Sequence, residues 1–150
     1  MTKVIRINSN NIHFNELIIL LDDELNKRYG TVQEMYNEYN SFEFIETVII
    51  AYSNDLPAGC GCFKKYDEQT IEIKRMFIKE EFRGQGLSKL ILNELEQWGT
   101  QLEYKKAILE TGIKQNEAIQ LYSKSGYNRI ENYGQYAEMP NSVCMMKVLT

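Results

Sequence analysis

Six consecutive residues, Arg83-Gly84-Gln85-Gly86-Leu87-Ser88, set one permanent cation and two glycines just ahead of a run of apolar residues at helical spacing. Where a helix begins, the first backbone N–H groups have no intrahelical partner and together carry about half a positive charge. Glycine lets the backbone come close to a ligand and arginine adds a fixed charge, so the chemistry on offer is the gripping of a pyrophosphate. The spacing is not that of the two better-known phosphate loops. Lys89 stands where a dinucleotide-binding Gly-x-Gly-x-x-Gly needs its third glycine, and no Gly-Lys-Ser/Thr follows at Walker spacing. A helix start with flexible glycines and no ligand is the other reading of these six residues.

Other chemistries find few groups to use. His13 is the only histidine, in an Asn-rich stretch expected at the surface, and the three cysteines, Cys60, Cys62 and Cys144, have neither disulfide-framework nor zinc spacing. No metal site is expected, and no histidine is placed to activate a serine or a thiol as nucleophile. With 17 basic against 21 acidic residues and a net charge of -4, the chain lacks the basic field that nucleic acid requires. Apolar runs such as Leu17 to Leu21 fall well short of the roughly 20 residues of a membrane span, and the N-terminus shows no signal pattern. These features lead us to expect a cytoplasmic protein that touches neither nucleic acid nor membrane. A length of 150 residues with 43% hydrophobic content suits a single domain over residues 1–150, and a homodimer is the commonest assembly on base rates.

The elements that must hold the loop follow from periodicity. Val4 and Ile5 open a short strand, and Phe14, Leu17, Ile18, Leu21 and Leu25 recur at helical spacing until Tyr29-Gly30. Thr31 and Glu34 form a capping box for a second, shorter helix reaching about Tyr39. Residues 44–52 and 58–65 read as a β-hairpin around Ser53-Asn54-Asp55, and 70–78 as a third strand, with Ile71 and Ile73 on one face and Glu72, Lys74 and Met76 on the other. Leu87, Leu90, Ile91, Leu95 and Trp98 define a helix ending at Gly99, and 106–110 return as a strand centred on Ala107, Ile108 and Leu109. A helix over 116–124, closed by Ser125-Gly126, precedes two last strands around Tyr127 and over 142–148. The expected fold is α/β: a mixed, mostly antiparallel central sheet with flanking helices and one βαβ unit, whose crossover is where a ligand would sit.

At this point the sequence resembles the GCN5-related N-acetyltransferase (GNAT) family. Its signature Arg/Gln-x-x-Gly-x-Gly/Ala is met by Arg83 and Gly86, with Ser88 as a departure at the last position. The second half of the pattern also appears, as Leu109-Glu110-Thr111-Gly112, Asn116, and Ala118-Ile119-Gln120-Leu121-Tyr122-Ser123-Lys124-Ser125-Gly126-Tyr127, so that the resemblance covers residues 44–148 in the family's order.

The resemblance implies acetyl-CoA as co-substrate, its pantetheine arm paired with the backbone of Met76, Phe77 and Ile78 and its pyrophosphate on the amides of Arg83, Gly84, Gln85, Gly86, Leu87 and Ser88. It places Asn116 to hydrogen-bond the cofactor, with helix N-cap as the alternative role, and Tyr122 beside the cofactor's sulfur as general acid. A phenol stays protonated at neutral pH and can protonate a departing thiolate, although a tyrosine here would equally cover a core junction. Glu72 is implied as the base that takes the amine's proton, directly or through water; an exposed carboxylate paired to Lys74 or Arg75 is the other reading. A backbone N–H near Met76 would meet the oxyanion.

Substrate pockets of this family draw attention to Asp22, Asp23, Glu24, Tyr29, Tyr36 and Tyr133 to Tyr136. Their acidity suits a cationic acceptor, or merely a solvated surface. The reading is an N-acetyltransferase acting on a primary amine of a small molecule. A peptide or protein N-acetyltransferase and a non-catalytic acetyl-CoA-binding module remain beside it.

Overall fold

The computed structural model describes residues 1–29 and 43–150. The helix expected over 31–39, its Thr31–Glu34 box, the Gly30 stop and Tyr36 lie outside the described residues.

In chain order the elements are β1 (Thr2–Ile7), α1 (Ile12–Tyr29), β2 (Thr47–Ser53), β3 (Leu56–Asp67), β4 (Thr70–Ile78), α2 (Leu87–Gln101), β5 (Lys106–Gly112), α3 (Asn116–Lys124), β6 (Asn128–Ile130) and β7 (Ser142–Val148). The strands form one sheet in the order β1-β2-β3-β4-β5-β7-β6. β1 runs antiparallel to β2 and β7 antiparallel to both β5 and β6, whereas β4 and β5, joined through α2, pair in parallel from Thr70–Lys106 to Ile73–Leu109. This is the mixed, mostly antiparallel sheet with a βαβ crossover that the periodicity predicts. No described helix is long and apolar enough to cross a membrane.

By contacts the chain divides into two compact units, Met1–Cys62 with Arg75–Leu95, and Phe63–Lys74 with Glu96–Thr150. In the first, Asn11 caps α1 by accepting from the N–H groups of His13 (2.9 Å) and Phe14 (3.1 Å), and Lys27 and Arg28 sit at its negative end. The helix lays Phe14, Leu17, Ile18 and Leu21 on Val48, Ile50, Cys60, Cys62 and Phe77. Each such side chain contributes roughly 1.5–3 kcal/mol by leaving water. His13 is half-buried rather than superficial, its Nδ1 lying 2.8 Å from the Tyr52 hydroxyl. The strand expected to begin at residue 44 begins at Thr47 instead, because Ile45 bonds to Ser9 through its N–H and its carbonyl, both at 2.8 Å.

In the second unit, Phe63 meets Trp98 and Tyr104 edge-on. Gly99 does not end α2, which continues to Gln101. A Cβ on Gly99 would meet Ile71 Cδ1 at 2.8 Å, so the glycine serves close helix–strand packing.

Candidate active site

The phosphate-type loop lies in the first unit. A single 3-10 turn, Glu80–Phe82, carries the chain from β4 to Arg83, and α2 closes its first turn with the Leu90 N–H on the Gly86 carbonyl at 3.2 Å. The N–H groups of Leu87, Ser88 and Lys89 therefore precede the helical ladder. Gly84 and Gly86 adopt φ of +81° and +79°, and an added Cβ at either would meet nothing within 4 Å. Backbone held in the left-handed region with open space beside it fits the close approach of a pyrophosphate.

The Arg83 side chain is engaged by the protein itself. Its Nε donates to the Ile78 carbonyl at 2.8 Å, its terminal nitrogen to Glu24 at 2.7 Å, and its guanidinium lies 5.6 Å from the centre of the Phe77 ring. The Arg83 N–H is engaged as well, donating to the Glu80 carbonyl at 3.2 Å, so the amides that follow it, more than the cation, are left to face a ligand. Likewise Asp22 accepts from Arg75 at 3.1 Å. Two of the acidic residues on α1 thus serve arginines of their own unit, which argues against their waiting for a cationic acceptor.

β4 departs from simple alternation. Arg75 takes a φ of +60°, rare for a residue with a side chain, and the parity of the strand changes there. Ile71 lies under Gly99 of α2, yet Met76 and Ile78, five and seven residues on, pack over Gly61 and Gly59 of β3, with Ile91 and Leu95 of α2 beside Gly61. Phe77 joins the α1 core instead. Met76 therefore does not share the face of Glu72, as alternation predicts, because one extra residue at the bulge flips every side chain after it.

The second unit holds the titratable cluster. Partner register places Glu72 beside Ile108 and Glu110 beside Cys144, so that Glu72, Glu110, Cys144 and Ser142 share one sheet face. Glu72 is buried, and the Tyr133 hydroxyl donates to its Oε2 at 2.8 Å. It is therefore not the exposed carboxylate of the alternative reading. The Ser142 hydroxyl donates to Glu110 Oε2 at 2.7 Å. Tyr133 stacks edge-on between Tyr66 (5.3 Å) and Tyr136 (5.7 Å). Burial, followed by the charge of Glu72 and the bond to it, pushes the Tyr133 phenol upward. Burial pushes Glu110 up from 4.5 to about 7, the nearby Glu72 charge adding to the rise while Ser142 and Lys74 oppose it.

Tyr122 is buried on α3, its ring 5.8 Å from that of Tyr127. Burial first and the charge of Glu110 second push its phenol up, which keeps it protonated. Asn116 is the first residue of α3, and Gln115, which makes no side-chain cap bond, occupies the capping position. The alternative of Asn116 as N-cap is not what the structure shows. Among the described residues no group of His, Cys, Asp and Glu is arranged to hold a metal.

Glu110 carries no chemical role in the sequence reading, which passes over it as part of a motif. The signal was present: a carboxylate among the apolar or small residues of 107–112 is costly unless it is used.

Comparison with known proteins places these observations. The sequence profile of the acetyltransferase (GNAT) family matches residues 16–127. An uncharacterised N-acetyltransferase, YsnE, of Bacillus subtilis is 34% identical over 101 residues, 66% of this chain and 67% of that protein. An IAA acetyltransferase of Azospirillum brasilense is 27% identical over 142 residues, 89% of this chain and 92% of that protein. A crystal structure of a Klebsiella pneumoniae protein assigned as an acyl-CoA N-acyltransferase superposes with a TM-score of 0.83 at 28% identity, covering 100% of this chain and 99% of that one. A GNAT acetyltransferase from Elizabethkingia anophelis, solved with acetyl-CoA bound, shares the fold with a TM-score of 0.72 at 18% identity, over 99% and 98% of the two chains.

Proposed function

This chain belongs to the GNAT acetyltransferase family, and from that premise we propose that it moves an acetyl group from acetyl-CoA to a primary amine of a small molecule by direct transfer in a ternary complex. Acetyl-CoA is the co-substrate of the family. The amides of Gly84 to Ser88 receive its pyrophosphate, that of Arg83 being held by the Glu80 carbonyl; the backbone of Met76 to Ile78 receives its pantetheine arm and Asn116 a further polar group, and the open, left-handed Gly84 and Gly86 support the first assignment.

An amine arrives as its ammonium and must lose a proton before its lone pair attacks the thioester carbon. Glu72, buried and aimed by Tyr133, takes that proton directly or through water. A backbone N–H near Met76 meets the oxyanion, and Tyr122 protonates the thiolate as the carbon–sulfur bond breaks. One observation carries this reading: a buried phenol that stays protonated and a buried carboxylate occur in one unit, both electrostatically coupled to Glu110. Direct transfer is favoured over a thioester intermediate on cysteine, because burial raises the Cys60 thiol well above its usual range and the Cys144 thiol to about 11. Three unbridged thiols also suit a cytoplasmic location.

Thiol release from acetyl-CoA, measured against a panel of amines, amino acids, polyamines and peptides, tests the proposal. Turnover with a small amine supports it. Turnover with peptides alone moves the acceptor to a protein, and none with any member removes the enzymatic reading.

A further inference from the structure

Resting on the acetyl-transfer reading, we infer that Glu110 is a second base carboxylate, working with Glu72 to take up the proton that the acceptor's ammonium must lose. Geometry supplies the first argument. On β4, β5 and β7 the paired registers put Glu72 and Glu110 on one face of the sheet, together with Ser142 and Cys144. Tyr133 and Tyr136 belong to the same cluster: Tyr133 donates to Glu72, and Tyr136 responds to the charges of both carboxylates. Each carboxylate has an identified donor on its Oε2, Tyr133 for Glu72 and Ser142 for Glu110, both within 2.8 Å. A hydroxyl bond of this kind fixes the orientation of the group.

Electrostatics supplies the second argument. The groups that act on Glu110 are Glu72 and Lys74 from β4, Ser142 from β7, Cys144 beside it, Tyr136 from the turn before β7 and Tyr122 from α3. Glu72 and Glu110 place two acidic groups on this face, opposed by Lys74 at Glu110 and by Arg129 at Cys144. A carboxyl that titrates near neutrality is matched to accepting a proton at working pH, where an ordinary glutamate is a weaker base.

The ammonium gives one proton to the carboxylate pair, and the freed nitrogen lone pair forms the bond to the acetyl carbon. The carbon–sulfur pair leaves as thiolate and is protonated through Tyr122, whose phenol is restored by the second proton leaving the nitrogen. One proton remains on the pair and departs to solvent with the product.

The test is the pH dependence of kcat/KM for acetyl-CoA with an alkylamine acceptor. For the wild type we expect an acid limb near pH 7. Glu110→Gln should abolish that limb and lower the plateau by roughly 100-fold, within the usual range for a general base. Ser142→Ala should move the limb to higher pH, because it removes a bond that favours the carboxylate, and Glu72→Gln should move it lower, because it removes a neighbouring negative charge. These opposite shifts keep the inference testable if Glu110→Gln fails to fold, which its unfolding midpoint and acetyl-CoA binding would reveal. A wild type that turns over while its limb is unmoved by all three substitutions overturns the role of Glu110 and leaves the acetyl-transfer reading standing. A wild type that acetylates no amine overturns both.

Discussion

Arg83 reaches back along the chain to Ile78, donating from Nε to its carbonyl at 2.8 Å, and so ties the first residue of the loop to the last residue of β4. The same guanidinium meets Glu24, but that pair is more than a third exposed and contributes little in water. Arg83→Ala should therefore raise the KM for acetyl-CoA by about 10-fold, equivalent to about 1.4 kcal/mol, with kcat nearly unchanged. Glu24→Ala, which leaves the bond to Ile78, should stay within about 3-fold of wild type on the same scale. Steady-state kinetics with acetyl-CoA varied separate the two. Equal effects would show that the exposed pair, not the backbone bond, sets the loop.

Gly86 combines a φ of +79° with open space on its Cβ side. In Gly86→Ala the left-handed backbone costs roughly 1–2 kcal/mol, and the new methyl occupies the side from which a pyrophosphate would approach. Acetyl-CoA affinity should fall at least 10-fold by calorimetry, a loss larger than the strain alone produces in the unfolding midpoint. An unchanged affinity would place the pyrophosphate elsewhere.

Glu110 makes stability depend on pH in a stated direction. Its carboxyl titrates near 7 in the folded protein against 4.5 ordinarily, so the folded state holds the proton more tightly than the unfolded one. Its stabilising contribution is complete below about pH 4.5, declines as pH rises, and is gone above about pH 7. Gln cannot ionise. Glu110→Gln should thus match wild type at low pH and become more stable by up to roughly 3 kcal/mol above pH 7, as measured by urea unfolding across that range. A gap that does not change with pH would show that Glu110 ionises normally.

Much of the fold was legible because periodicity reports burial directly. Phe14, Leu17, Ile18 and Leu21 had to face a core, and Leu87 to Trp98 had to form the crossover helix. Gly99 misled because a glycine within a helix looks like a stop until Ile71 is seen to fill the place of its Cβ. The bulge at Arg75 left no mark on composition, yet it decided that Met76 and Glu72 point to opposite faces. The loop was readable as a local run, residues 83–88. The carboxylate cluster was not, because Glu72, Glu110, Tyr133 and Ser142 are far apart in sequence and meet only through the β4–β5–β7 registers. The role of Arg83 also changed, from a free cation to one bonded to Ile78 and Glu24.

Tyr122 supplies a separate check on proton delivery. Tyr122→Phe keeps the buried ring and its edge contact with Tyr127 while removing the hydroxyl. We expect kcat to fall by roughly 100-fold with acetyl-CoA affinity within a few-fold of wild type. A kcat unchanged by this substitution would assign the protonation of the thiolate to another group.

Direct transfer of acetyl from acetyl-CoA to a small amine is tested most directly by initial rates with both substrates varied. Thiol release should give intersecting double-reciprocal lines, with one acetylated amine formed for each thiol released. Parallel lines, or thiol released without acetylated amine, would contradict it.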